Sequence, residues 1–277
     1  MASLKAFFLP LRQGKRFCIL REARQGATRR GSVLFVHPFA EEMNNSRRMA
    51  GLQARALADV GWVVLQIDLF GCGDSDGDFG EASWRYWLDD IIGASAWLQQ
   101  ETNCPPLLWG LRAGCLLCVE AAMHMASMPA LILWQPVISG NQHLQQFLRT
   151  KITQQLTAST NDARIGTQQL REQLVRGENI EVAGYSLAPA LALPLDAAEL
   201  NAAVACARIV WLEVTSAMGG TLAPASRLCI QKMQDAGCHI DACAVEGAAF
   251  WQNPEAGDCL ALIEATLVLL QAGLPEK

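Results

Sequence analysis

The chain has 277 residues, 51% of them hydrophobic, and 22 Lys and Arg against 27 Asp and Glu give a formal net charge of −5. That length and apolar content suffice for one large buried core. The interspersed, acidic balance excludes a nucleic-acid surface, which needs a basic stripe, and no apolar run approaches the roughly 18 to 20 residues that span a bilayer.

The apolar run near the N-terminus is too short for a secretory signal, and no small-residue cleavage site follows it, so a cytoplasmic chain is expected. Its ten cysteines are scattered. They are expected to be reduced and buried as small hydrophobes. Cys115 and Cys118 form an isolated C-x-x-C without a second pair, so neither a metal nor a cofactor is expected.

Residues 6–11 and 16–21, separated by Gln13-Gly14-Lys15, predict a β-hairpin at a sheet edge. Residues 32–36 are a continuous apolar run that suits a parallel strand covered on both faces. A helix capped by Asn44 or Asn45 is expected to run to about Asp59, where Gly61 stops it. Residues 62–68 are the next strand, and Gly71 and Gly73 give the tight turn that follows. A helix is predicted over 83–100, and Pro105-Pro106 breaks it from the strand at 107–111. Then come a helix over 113–125 and a strand over 130–134.

The alternation pauses between 139 and 206. Helices are expected over 141–156, 162–175 and 196–204, with a hairpin-like piece at 180–182 and 185–187. It resumes with strands at 208–214 and 238–245 and helices at 223–236 and 258–272. This is an α/β pattern: a mostly parallel twisted sheet with helices on both faces, a core of 1–138 and 207–277, and an inserted helical cap over 139–206.

Right-handed crossovers place the C-terminal ends of the parallel strands along one rim. The rim residues are His37-Pro38-Phe39, the 68–78 loop, Arg112, Gln135, Glu213 and Phe250-Trp251. Gly110-Leu111-Arg112-Ala113-Gly114, after a strand and before a helix, has the frame of a nucleophile elbow, G-x-Nu-x-G. Its middle residue is Arg112, which cannot attack a carbonyl.

Three stretches, His37-Pro38-Phe39-Ala40-Glu41-Glu42-Met43-Asn44, Asp68-Leu69-Phe70-Gly71-Cys72-Gly73-Asp74-Ser75 and Trp109-Gly110-Leu111-Arg112-Ala113-Gly114, resemble the α/β-hydrolase-fold proteins called exosortase A system-associated hydrolase, type 2. The resemblance implies an α/β-hydrolase fold, a hydrolase label for an ester or similar bond, and a setting in exopolysaccharide synthesis and exosortase-dependent sorting. In that frame the nucleophile slot holds Arg112 and the histidine slot holds Phe250. Pro38 replaces the glycine of an oxyanion motif and removes an N–H.

Three functions remain open. A displaced nucleophile would be Cys115, at the N-terminus of the elbow helix, or Ser75 or Cys72 in the neighbouring loop, with His37 as base. His37 is the one histidine expected on the rim, with His143 assigned to the cap. Alternatively, Arg112 binds an anion, such as a carboxylate or phosphate on a small or lipid- or sugar-linked molecule, in a site lined by His37, Phe39, Glu41, Gln135, Glu213 and Trp251. Arg112 would otherwise pair internally with Glu213, Glu41 or Glu42. The third function is a protein-interaction module using the polar cap.

Overall fold

A computed structural model describes residues 3–125, 129–157, 166–200, 208–217 and 219–272. One eight-stranded sheet runs in the order β1 (Leu4–Leu11), β2 (Gly14–Arg21), β4 (Trp62–Ile67), β3 (Gly31–Val36), β5 (Leu107–Leu111), β6 (Leu131–Trp134), β9 (Ile209–Thr215) and β10 (Ile240–Glu246). The predicted hairpin β1–β2 lies at one edge and joins β4 antiparallel, while all remaining pairs are parallel.

The continuous apolar runs conceal a two-residue alternation. In β3, Leu34 and Val36 belong to one core, and Val33 and Phe35 belong to the other. Successive side chains leave opposite faces of a strand, so a run apolar throughout must be covered on both. Side chains of α2 (Trp84–Thr102), α3 (Gly114–Met123) and α7 (Pro224–Asp235) join the first core, and those of α1 (Glu41–Asp59) and α8 (Leu260–Ala272) join the second. Trp109, Trp134 and Trp211 are fully buried. A buried ion pair, Arg16 Nε to Asp90 Oδ2 at 2.7 Å, ties β2 to α2, and the same carboxylate oxygen accepts from Phe70 N at 2.8 Å.

The helix α1 begins at Glu41, three residues before the predicted cap. Ala40 stands at its N-cap with φ 50° and ψ −128° and supplies no side-chain acceptor. Glu41 and Glu42 place negative charge against the helix N-terminus instead. Asn45 is drawn away, donating from Nδ2 to Trp251 O at 3.1 Å.

Between β6 and β9 lie α4 (Gly140–Thr157), α5 (Thr167–Val175), the hairpin β7 (Ile180–Val182) and β8 (Tyr185–Leu187), and α6 (Pro189–Ala197). The helix expected over 196–204 is displaced: α6 ends where it was to begin, and 201–204 fall outside the described residues, as do 162–165 of the helix expected over 162–175. Pro189 supplies the fixed φ of a helix start, and Leu191, Ala192 and Leu195 are buried. Asp196 closes this helix with a bond to Arg171 Nη1 at 2.7 Å.

Strand order reverses at β3, which lies between β4 and β5. The next helices, α1 and α3, therefore leave toward opposite faces, and a crevice opens beyond the ends of β3 and β5. That crevice receives residues 37–42 and Arg112.

Candidate functional site

The elbow is compact because two glycines permit it. A Cβ at Gly110 would sit 2.7 Å from Cys115 N, and one at Gly114 would sit 2.5 Å from Val36 O. Between them Arg112 adopts φ 55°, a left-handed conformation that costs a non-glycine residue on the order of 1–3 kcal/mol. Backbone bonds hold it there. Arg112 N donates to Trp134 O at 3.0 Å, and Arg112 O accepts from Cys115 N at 3.0 Å. Strain of this kind persists where the surroundings over-determine it, and it directs the side chain outward from the sheet.

The Arg112 side chain enters a cavity of about 410 Å³, bounded on one side by Phe39, Glu41, Glu42 and Trp251 and on the other by His143, Phe147 and Ala183. Its Nε donates to Glu42 Oε1 at 3.1 Å, and its Cζ lies 5.6 Å from the centre of a Trp251 ring. Among the described residues no other hydrogen bond engages the guanidinium, so its terminal N–H groups are left toward the cavity. Of the three carboxylates considered as an internal partner, Glu42 is the one used. Burial pushes the Glu42 carboxyl up, and Arg112 partly offsets that.

Several expected site residues lie elsewhere. Glu213 is buried, accepting from Trp211 Nε1 at 3.0 Å and Ala223 N at 2.9 Å. Gln135 accepts through Oε1 from Val214 N at 2.7 Å. Both side chains are occupied in bracing the chain around β9, Glu213 from within that strand and Gln135 from just beyond the end of β6. His37 is buried. Its Nδ1 lies 2.7 Å from Pro38 O, and Nε2 accepts from Leu69 N at 3.2 Å, so both nitrogens are engaged. It faces a separate cavity of about 180 Å³ beside β2, and desolvation pushes its pKa down.

The nucleophile candidates are also occupied. Ser75 donates to Asp68 O at 2.5 Å and accepts from Phe17 N at 2.9 Å. Cys115 is fully buried, with Sγ against Trp134 O at 3.6 Å, and desolvation pushes its thiol far above the ordinary value despite Arg112. Burial outweighs the helix N-terminus here. Cys72 is buried and raised in the same way. Phe250 packs against Trp134 and Trp251 in the second core.

Phe39, Glu41 and Trp251 do line the cavity. Glu41 accepts from Tyr185 Oη at 2.9 Å. Trp251 Nε1 is buried without a partner among the described residues.

The sequence reading missed His143. It comes from α4, stacks edge-to-face on Phe39, and is 6% exposed. Among the described residues neither ring nitrogen has a hydrogen-bond partner. Desolvation, with Arg112 adding to it, lowers its pKa to about 3, so the ring is neutral. Its signal in the sequence was the buried stripe it shares with Leu144 and Leu148. That stripe marks His143 as inward-facing without saying what it meets. No cluster of three His, Cys, Asp or Glu side chains placed to hold a metal occurs among the described residues.

Residues 27–191 match the family model described as serine aminopeptidase, S33. No curated protein matches the chain. Among solved structures, Est1E from Butyrivibrio proteoclasticus with bound ferulic acid superposes with a TM-score of 0.66 at 16% identity, covering 96% of this chain and 98% of that one. XC6422 from Xanthomonas campestris, an α/β serine hydrolase without a lid, gives 0.58 at 14% identity, covering 99% and 97%. Mouse α/β hydrolase domain-containing protein 10 gives 0.61 at 15% identity, covering 97% and 99%. With its mostly parallel sheet, its strand–turn–helix elbow and a family match over more than half its length, the chain belongs to the serine aminopeptidase S33 family of the α/β-hydrolase superfamily.

Proposed function

We propose that the chain uses the hydrolase scaffold to bind a small ligand at Arg112 and does not perform Ser-His-Asp hydrolysis. One observation carries this reading: the side chain presented by the elbow is a guanidinium whose Nε is held by Glu42 while its terminal N–H groups have no partner among the described residues and lie beside a half-open cavity. An Arg oriented from one side in this way is prepared to donate to acceptor oxygens from the other. Around it, Cys115, Cys72 and Ser75 are buried, Cys115 and Ser75 are also hydrogen-bonded, and Phe250 stands where a catalytic histidine would be needed. Residues 139–206 act as a cap over the core of 1–138 and 207–277, bounding one side of the cavity with His143 and Phe147.

The Arg112 cavity suits an acceptor-bearing head with an apolar body, since Phe39, Phe147 and Trp251 supply its apolar wall. That Est1E holds ferulic acid in a related fold supports a small organic acid or its derivative as the ligand type. The motif resemblance to exosortase A system-associated proteins supports a setting beside exopolysaccharide assembly. The nine free cysteines among the described residues favour the reducing cytoplasm.

Thermal-shift screening of small carboxylates, amides and phosphates against wild type and Arg112→Ala tests the reading. The expected result is stabilisation of wild type that Arg112→Ala loses. Turnover of p-nitrophenyl acetate that a single Ser or Cys substitution abolishes would overturn it.

A further inference from the structure

The Arg112 cavity holds more hydrogen-bonding capacity than the protein itself satisfies. Among the described residues Glu42 Oε2 is buried without a partner, while Oε1 holds Arg112. Among the described residues, both nitrogens of the buried His143 are unpartnered in the opposite wall. Natural proteins rarely leave buried polar atoms unmet unless something else completes them. The elbow turn and the start of α1 bring Arg112 and Glu42 together, with His143 facing them from α4, and the first two elements carry strained backbone, Arg112 at φ 55° and Ala40 at φ 50°.

Charge narrows what can enter. Arg112 contributes one positive charge, and Glu42 already answers it at 3.1 Å. Glu41 adds a second carboxylate at the rim, hydrogen-bonded to Tyr185. A fully ionised acid would set three negative groups around one guanidinium, and a phosphate dianion would be worse. A purely apolar molecule would leave Glu42 Oε2 unmet. A protonated carboxyl group meets both demands: its carbonyl oxygen accepts from a terminal N–H of Arg112, and its O–H donates to Glu42 once the carboxylate turns its covered Oε2 toward the cavity.

Resting on the binding function above, we propose that the cavity takes a small monocarboxylic acid with an apolar, ring-sized body, and that each acid enters with one proton shared between its carboxyl group and Glu42. The titratable groups around Glu42 are Arg112 from the elbow, His143 from α4, and Glu41 with its Tyr185 partner from α1 and β8. The loop carrying Trp251 and Gln252 adds no charge there. The proton resides on the carboxyl pair and not on the imidazole. Burial already favours the neutral form of Glu42, whereas a charged His143 would stand in a desolvated site beside Arg112. The step involves no covalent change.

Calorimetric titration of the full chain with benzoate and benzamide, in two buffers of different ionisation enthalpy and from about pH 5 to about pH 8, tests the proposal. Benzoate affinity is expected to fall about tenfold per pH unit across the upper part of that range, with one proton taken up per acid bound. Benzamide, whose amide group brings its own donor, is expected to bind independently of pH. In Glu42→Gln the side-chain amide replaces the proton, so benzoate binding becomes independent of pH. Benzoate binding to wild type without pH or buffer dependence would overturn the proposal and leave the binding function standing. So would binding of benzamide alone that requires Arg112. Failure of both probes, together with ester turnover, would remove the binding function itself. The benzoate–benzamide comparison in wild type needs no variant to fold.

Discussion

The two walls of the Arg112 cavity are built in different ways. On the core side, backbone geometry leaves little choice: Gly110 and Gly114 admit no Cβ, and Arg112 is bonded at both N and O to neighbouring strand and helix. On the other side, His143 and Phe147 are held by packing of one helix against Phe39, with edge-to-face ring contacts at 5.9 Å and 5.1 Å and no hydrogen bond from the imidazole. Under the proposed binding function, the core wall fixes where a ligand would be met. Under the same proposal the α4 wall would tune what is met, and it can change without disturbing the sheet. Evolution of a new ligand on this scaffold has more freedom in α4 than in the elbow.

Breaking the core frame should cost the most. Asp90→Ala leaves the Arg16 guanidinium buried without its partner and removes the acceptor for Phe70 N. A loss of about 3–5 kcal/mol is expected, measured as a lower denaturation midpoint with an unchanged m value. A loss under about 1 kcal/mol would mean the frame is less constrained than the contrast requires.

His143→Leu probes the opposite wall and should move stability the other way. Removing a buried ring with two unmet nitrogens is expected to stabilise the fold by about 1 kcal/mol near neutral pH, while ligand affinity changes. The same variant has a pH signature. The folded pKa is depressed to about 3 against 6.5 when unfolded, so the unfolded chain takes up the proton first. Wild type therefore loses stability as pH falls from 6.5 toward about 3, by up to ~1.4 kcal/mol per pH unit, and the leucine variant should lose less. His37 is depressed as well and acts in the same sense. Glu42 is raised and acts oppositely, its contribution fading as pH rises above 4.5. Equal acid sensitivity of the two proteins, followed by circular dichroism, would place His143 in water.

Ala40→Gly sharpens the contrast at its seam, where the core meets α1. At φ 50° and ψ −128° glycine carries no Cβ penalty, so a gain of about 0.5–1 kcal/mol is expected, seen as a higher Tm. The smallest disturbance is chemical. Native alkylation by iodoacetamide should reach the half-buried Cys104 and Cys243 well before the buried Cys18, Cys72, Cys115 and Cys118, as read by peptide mass spectrometry. Fast labelling of Cys115 would instead point to a displaced nucleophile.

Much of the core frame was legible in the sequence. Apolar runs of strand length, Gly-rich turns and the Gly110–Gly114 spacing are local patterns with local causes. They placed the sheet, the hairpin at its edge and Arg112 on its turn. The start of α1 was misplaced because Asn44 and Asn45 are good cap residues, while the helix is set three residues earlier by a strained Ala40 and two acidic residues. The site was less legible. Arg112 and Glu42 are 70 positions apart, and three carboxylates were compatible with the chain order. Glu213 and Gln135 reached the expected strand ends, but backbone donors nearby claimed their side chains.

By itself, then, the sequence determined the α/β alternation, the elbow and the positive charge it presents, because each arises from residues close together in the chain. Tertiary structure decided which carboxylate answers Arg112, that His37 is enclosed, and that His143 faces the cavity. Those outcomes depend on how α1 and α4 dock across the crevice at the strand reversal, and docking is set by summed packing over distant residues that no local pattern encodes.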